Sequence, residues 1–151
     1  MIRPLFTKKG FEDIKKEKED LLIKRKHVVS ELKRAREMGD LSENGFYKAA
    51  KFELGNVDRR LRQLTYFITQ GKVMESSSLE TIGIDCKIIV EQNGKEQSFH
   101  MVGGYESDTS LGKISHLSPL GKSLMGKKVS ETIEILTPSG EKISYTIKKI
   151  E

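Results

Sequence analysis

Two stretches in the first half of the chain carry hydrophobic residues at the spacing of a coiled-coil seam. Their steps alternate between three and four positions. The first stripe consists of Phe11, Ile14, Lys18, Leu21, Arg25, Val28, Leu32 and Ala35, and the second of Tyr47, Ala50, Leu54, Val57, Leu61, Leu64 and Ile68. Only the short segment 39–43 separates them, so we predict two antiparallel helices joined by a tight turn. Thr7 and Gly71 stand where an N-cap and a C-cap are expected.

The second half of the chain changes to the two-residue period of half-buried β-strands. The alternating apolar positions are Ile82, Ile84, Cys86, Ile88 and Val90, then Ile133 and Ile135, and finally Ile143, Tyr145 and Ile147. Asn93-Gly94 predicts a two-residue hairpin turn, and the sequence 138–140 (Pro-Ser-Gly) predicts another turn.

One short helix interrupts the predicted strands. Ser118-Pro119 has the order of an N-cap followed by proline at the first helical position, and Gly126 follows shortly after. The fold class we predict is α+β, with an antiparallel coiled-coil domain at residues 1–75 and an antiparallel sheet with one short helix at residues 79–151.

Composition places the positive charge in the first half. The chain has 151 residues and a formal net charge of +5, while residues 1–75 alone carry 18 basic and 12 acidic side chains. This surplus suits contact with nucleic acid or an acidic surface, and equally a solvated helix face. A single cysteine, Cys86, fits a reducing compartment, and no signal peptide or membrane span is visible, so we expect a cytoplasmic protein.

Two carboxylates, Asp40 and Glu43, lie in the segment between the helical stripes. One interpretation is structural, with Asp40 as N-cap and Glu43 at the third helical position, each satisfying a backbone N–H group. The other is a partial magnesium site, because Mg²⁺ takes one or two carboxylates and completes its shell with waters and phosphate oxygens. Such a site needs a partner that supplies further ligands. A second metal of this kind assists phosphodiester hydrolysis.

Basic residues flank these acids and could contact backbone phosphates without reading base sequence. They are Lys33, Arg34, Arg36, Lys48 and Lys51, and each can equally be a solvated helix charge. The three histidines are scattered, and Cys86 alternates with apolar strand positions as a buried thiol would. The residues therefore predict no catalytic triad.

Residues 39–51 (GDLSENGFYKAAK) resemble the tip signature of the Gre family of bacterial transcript-cleavage factors, and more its GreA than its GreB members. Residues 115–128 (SHLSPLGKSLMGKK) are similar to the second signature of that family. The resemblance implies an N-terminal coiled coil and a C-terminal domain of FKBP-like fold. It also implies that the C-terminal domain docks at the secondary channel of bacterial RNA polymerase while the coiled coil enters the channel.

The resemblance implies that the chain is an accessory factor and that the polymerase remains the enzyme. Asp40 and Glu43 would help hold the second Mg²⁺ of the polymerase active site, where backtracked RNA is hydrolysed, and no cofactor of its own is implied. Arg34, Arg36 and Lys48 would guide the 3′ end of the nascent RNA. A monomer is expected, without membrane contact. The residues expected to dock on polymerase are Ser115, Ser118, Pro119, Gly121 and Lys122.

Two departures from the family pattern leave alternatives open. The family continues Asn-Ala-Glu-Tyr where this chain has Asn44-Gly45-Phe46-Tyr47, and Ser130-Glu131 stands where Gly-Asp is common. An inhibitory Gre homologue that occupies the channel without stimulating cleavage is one alternative. A prolyl isomerase or chaperone is another, although its aromatic-lined pocket would have to be built from only Phe99, Tyr105 and Tyr145. A purely structural coiled coil is the last.

Overall fold

A computed structural model of the chain describes residues 3–39, 43–75 and 78–151. They form two compact units: residues 11–70 make up the first, and residues 71–151 together with the described residues up to Gly10 make up the second. Strands β1 (Leu5–Phe6) and β2 (Lys72–Val73) pair in parallel within the second unit. Both strands lie inside the 1–75 range that the sequence assigns to the coiled coil.

The first unit contains two long helices, α1 (Lys8–Arg36) and α2 (Gly45–Gln70). The first three residues of α1, 8–10, belong to the second unit. Thr7 caps α1 as predicted, because the Gly10 N–H donates to Thr7 Oγ1 at 3.0 Å. Every position of the two predicted stripes is buried or half-buried. The heptad pattern is therefore confirmed as the apolar seam of the helical hairpin.

Ion pairs across the seam show that the helices run antiparallel. Arg60 of α2 binds Glu17 near the start of α1 at 2.8 Å, and Arg25 further along α1 binds Asp58 at 2.6 Å. The side-chain hydrogen bond from Arg25 lowers the pKa of Asp58 below its usual value. Arg25, a polar member of the first stripe, thus contributes through an ion pair as well as its aliphatic stem.

The second unit is built on a five-stranded sheet in the order β5-β4-β3-β7-β6. The strands are β3 (Lys87–Gln92), β4 (Lys95–Val102), β5 (Lys113–Ser115), β6 (Thr132–Leu136) and β7 (Lys142–Ile150), and the helix is α3 (Pro119–Leu124). The sheet is mixed, because β4 and β5 pair in parallel. The prediction of a wholly antiparallel sheet is wrong at this edge, where the connection 103–112 brings the chain back beside His100, so that β5 runs alongside the last three residues of β4.

The core of this unit lies between the sheet and α3. Ile88, Met101, Leu124 and Ile147 are fully buried there. The strand predicted to start at Ile82 starts only at Lys87, although Ile82, Ile84 and Cys86 before it are also buried.

The reason for this later start is the backbone of Asp85, whose φ of 72° interrupts an extended chain. Its N–H donates to Met101 O at 2.7 Å, which holds the preceding segment against the core without regular pairing.

The predicted turns are confirmed. Asn93 and Gly94 both have positive φ, 51° and 78°, as a type I′ hairpin turn requires. Gly140 has a φ of 87° and donates to Thr137 O at 2.9 Å. Ser130, at the departure from the family's glycine, adopts a φ of 76° and donates to Ile147 O at 2.8 Å. A serine therefore holds the left-handed conformation that glycine adopts more easily.

Candidate functional site

The turn end of the hairpin is organised by an asparagine. Asp40 lies outside the described residues, as do Leu41 and Ser42, and Glu43 directly follows them. The side chain of Asn44 accepts a hydrogen bond from the Tyr47 N–H at 3.1 Å. Its amide group donates to Ala35 O at 2.7 Å. Asn44 thus caps α2 and ties the last turn of α1 to the first turn of α2.

The capping interpretation of Glu43 is wrong. Helix α2 begins at Gly45, so Glu43 precedes the helix and does not occupy its third position. Sequence reasoning missed Asn44, although asparagine directly before the helix is among the most favoured N-cap residues. Glu43 is exposed, and no Lys or Arg of the described residues forms an ion pair with it.

The basic residues predicted to guide RNA are all exposed, but their surroundings differ. The Arg36 guanidinium carbon lies 5.8 Å from the centre of the Tyr47 ring, a cation–π contact between the end of α1 and the start of α2. Arg34 lines a groove between the helices. Lys48 lies on the first turn of α2, close to the cap.

This groove was not anticipated from the sequence. It has a volume of about 350 Å³ and is lined by Glu31, Arg34, Ala35, Met38, Phe46, Ala49, Ala50 and Glu53. Met38 and Phe46 are 62% and 73% exposed. We call it the hairpin groove. The signal that could have found it is a pair of apolar residues, Met38 and Phe46, that flank the turn outside both stripes.

In the second predicted site, three of the five docking residues are used to hold the local fold. Ser118 caps α3 by accepting from the Gly121 N–H at 3.0 Å, and its hydroxyl donates to Ser115 O at 2.7 Å. A Cβ atom on Gly121 would lie 1.9 Å from Ser115 O, so only glycine fits there. Pro119 and Lys122 are exposed. The prediction that this segment docks on polymerase stays a prediction, and these two residues are the ones that face solvent.

The aromatic residues of the second unit do not gather around one cavity. Phe99 packs edge-on against Tyr145 with ring centres 6.1 Å apart, whereas Tyr105 stacks on Phe6 at 6.2 Å. The arrangement gives no support to the prolyl isomerase alternative. Within the three described ranges, no group of three or more His, Cys, Asp and Glu side chains could hold a metal ion.

Family comparisons cover nearly the whole chain. A family model described as the N-terminal domain of transcription elongation factors matches residues 4–73, and the GreA/GreB C-terminal model matches residues 76–151. The chain belongs to the GreA/GreB family. The transcription elongation factor GreA of Thermotoga petrophila is 41% identical over 141 residues, covering 89% of this chain and 88% of the relative. The resemblance that the two sequence signatures carry is therefore confirmed.

A second curated relative agrees with this assignment. The transcription elongation factor GreA of Staphylococcus carnosus is 36% identical over 149 residues, covering 96% of this chain and 93% of the relative. The crystal structure of GreA factor homolog 1 of Thermus thermophilus is 25% identical, covers 99% of both chains and superposes with a TM-score of 0.47. This Gre chain is a transcription elongation factor. None of its described helices is long and apolar enough to span a bilayer.

Proposed function

We propose that this Gre chain binds bacterial RNA polymerase and stimulates hydrolysis of backtracked RNA by the polymerase's own magnesium-dependent active site. In this proposal the hairpin turn enters the secondary channel, and the chain is an accessory factor that acts as a monomer in the cytoplasm. The observation that carries it is that Glu43, three residues after Asp40 in the sequence, is exposed and is not needed as a helix cap, because Asn44 supplies the cap of α2.

The donor set fits a shared ion. Asp40 and Glu43 offer carboxylate oxygens, which Mg²⁺ prefers, and Mg²⁺ commonly takes one or two carboxylates while other ligands come from water and phosphate. Two carboxylates alone bind such an ion weakly until a partner provides the remaining ligands. When bound, the ion supplies activation of water and stabilisation of charge at the phosphodiester.

The two helices of the hairpin form a long arm that ends at the turn. Helix α2 has 26 residues, which at about 1.5 Å per residue corresponds to an arm of roughly 40 Å. The buried seam and the ion pairs Arg25–Asp58 and Arg60–Glu17 hold the two helices together along this length. The Asn44 bridge ties together the helix ends next to Glu43. Glu43 is therefore carried at the end of two helices that are held to each other.

Positive side chains near the turn support an RNA contact. Arg34 and Lys48 are exposed on α1 and α2, and either can bind a backbone phosphate of the extruded RNA. Arg36 has the same charge but lies over the Tyr47 ring, which favours a bracing role with a weaker RNA contact. On the second unit, Pro119 and Lys122 are the exposed candidates for polymerase contact.

The test is a gel assay of transcript shortening on stalled, backtracked polymerase complexes. The wild-type chain should shorten the RNA, while Asp40→Asn and Glu43→Gln should lower the stimulated rate by about 100-fold or more, since metal stabilisation of a transition state is worth several kcal/mol. Polymerase binding should be unchanged. Glu37→Gln, which neutralises an exposed acid just after α1, is the matched control and should retain activity.

Three results would contradict the proposal. Absence of shortened transcripts with the wild-type chain would favour the inhibitory homologue. Equal loss of binding and cleavage in Glu43→Gln would assign the acid a structural role. RNA degradation by the purified chain alone, with Mg²⁺ and no polymerase, would make the chain itself a nuclease.

A further inference from the structure

The hairpin groove has two chemically different ends. Because the helices are antiparallel, Met38 and Phe46 line the end nearer the turn, while Glu31 and Glu53 line the end farther from it. Arg34 lies between them along α1. The volume of about 350 Å³ falls within the range of roughly 300–1,000 Å³ typical of small-ligand sites. The end nearer the turn is apolar and open.

Phe46 does not contribute to the seam of the hairpin. It lies outside the heptad stripe of α2 and is 73% exposed, and Met38 beside the groove is 62% exposed. Exposed aromatic rings next to positive charge are the arrangement with which proteins bind single-stranded nucleic acid, because every base has a π-face that can stack. Phe52 is equally exposed, at 72%, but does not line the groove.

Three charged residues line the groove: the cation Arg34, and the acids Glu31 and Glu53 at the end farther from the turn. Of the two acids at the far end, Glu53 is paired with Lys24 at 3.2 Å. Glu31 lies one helical turn from Arg34, on the side away from the hairpin turn. A phosphate near Arg34 would therefore be held toward the apolar end, next to Phe46.

We propose that the hairpin groove binds one unpaired nucleobase of the extruded RNA, stacked on Phe46 and Met38 with the adjoining phosphate at Arg34. This deepens the proposed function and rests on it, because it assigns the RNA 3′ segment a binding place on the hairpin whose sequence carries Asp40 and Glu43. Stacking on a phenylalanine ring does not select a particular base, so the four bases should bind similarly. Phe46, which replaces the family's glutamate, is then an RNA-contacting residue of this chain.

The experiment uses backtracked polymerase complexes whose RNA ends in 2-aminopurine, a fluorescent base that is quenched when it stacks. Divalent ions are held below the level that permits cleavage. The full-length wild-type chain should quench the fluorescence. Phe46→Leu, which keeps an apolar side chain but removes the ring, should need about tenfold or more protein for the same quenching. Phe52→Leu is the matched control and should behave as the wild type.

Binding of the labelled chain to polymerase is measured in parallel. This measurement distinguishes failure of the nucleobase site from failure of the proposed function. If the wild-type chain binds polymerase and stimulates cleavage but Phe46→Leu quenches as strongly, the nucleobase site is refuted and the proposed function stands. If Phe46→Leu lowers polymerase binding while quenching per bound chain is unchanged, the groove contacts protein and the nucleobase site is again refuted. If the wild-type chain neither binds polymerase nor stimulates cleavage, the proposed function itself fails.

Discussion

The two segments that carry the family signatures use their residues differently. In the segment 115–126, Ser115, Ser118 and Gly121 are tied into one local network of hydrogen bonds and close backbone contact. At the hairpin turn, the described signature residues are mostly exposed, and Asn44 links the two helix ends through its side-chain hydrogen bonds.

The difference shows that a residue of a signature can be present for one of two reasons: to hold the local fold, or to act on a partner. A serine or glycine that completes a network is needed for the fold, whatever the segment binds. An exposed acid that caps nothing, such as Glu43, has no comparable structural reason. The hairpin turn is therefore the better place to look for residues that act on a partner, and of the five predicted docking residues in the segment 115–126 only Pro119 and Lys122 are exposed.

The largest expected effect is on stability, when a glycine is replaced by alanine in each of the two segments. Gly121→Ala should destabilise the second unit by about 1–3 kcal/mol, because the new Cβ would lie 1.9 Å from Ser115 O. Gly45→Ala has nothing within 4 Å of its Cβ and should leave the hairpin unchanged or slightly more stable. Hydrogen exchange of the Val90 and Leu54 amides reports each unit. Equal effects of the two substitutions would contradict the contrast.

The next effect concerns the cap at the hairpin turn. Asn44→Ala should destabilise the helix ends by about 1–2 kcal/mol, because it removes the cap on the Tyr47 N–H and the bond to Ala35 O. Asn44→Asp keeps the acceptor and should lose less. Exchange of the Tyr47 amide measures the change. An unaltered exchange rate in Asn44→Ala would show that the bridge does not hold the turn.

A smaller effect is expected at the exposed face of α3. Lys122→Glu should raise the concentration of chain needed for half-maximal polymerase binding by several-fold, more at low salt than at high salt, because an exposed charge is screened. The stability of the second unit should not change. Lys128→Glu, also exposed, is the matched control. Equal effects of the two would mean that general charge and not docking by α3 is responsible.

The smallest effect is the acid dependence of the hairpin. The pKa of Asp58 is lowered by its bond to Arg25, so the pair stabilises the folded hairpin above the ordinary aspartate pKa of about 3.9. This contribution is lost as the pH falls through the lowered pKa. Asp58→Asn should slightly lower stability at pH 7 and make no difference in strong acid. Asp20→Asn should show no such pattern in urea titrations, and a pH-independent Asp58→Asn effect would contradict the assignment.

Much of the fold can be predicted from the spacing of apolar residues along the chain. The reason is that a helix or strand buries one face, and the residues on that face recur at a fixed interval. Every position of both hairpin stripes is buried or half-buried, and Asn93-Gly94 forms its turn because few other residues accept positive φ. The late start of β3 could not be foreseen, since Ile82 and Ile84 are buried at alternate positions even though Asp85 breaks the strand. The parallel pairing of β4 and β5 depends on a connection that has no local signal.

The candidate site was only partly predictable. The acids stand out by type and spacing, but which residue caps α2 depends on the start of the helix, a boundary that sequence patterns locate poorly. Ser118 was recognisable as a cap because Pro119 follows it. The hairpin groove arises from residues on two helices, Met38 and Phe46, whose pairing depends on the register of the hairpin.

The most direct test of the shared-ion account is a magnesium titration of RNA cleavage in backtracked complexes with and without the chain. If Asp40 and Glu43 complete the coordination of the polymerase's second ion, the wild-type chain should lower the half-saturating Mg²⁺ concentration by about tenfold, and Glu43→Gln should not. A chain that raises the cleavage rate while the half-saturating Mg²⁺ concentration stays the same would contradict the account.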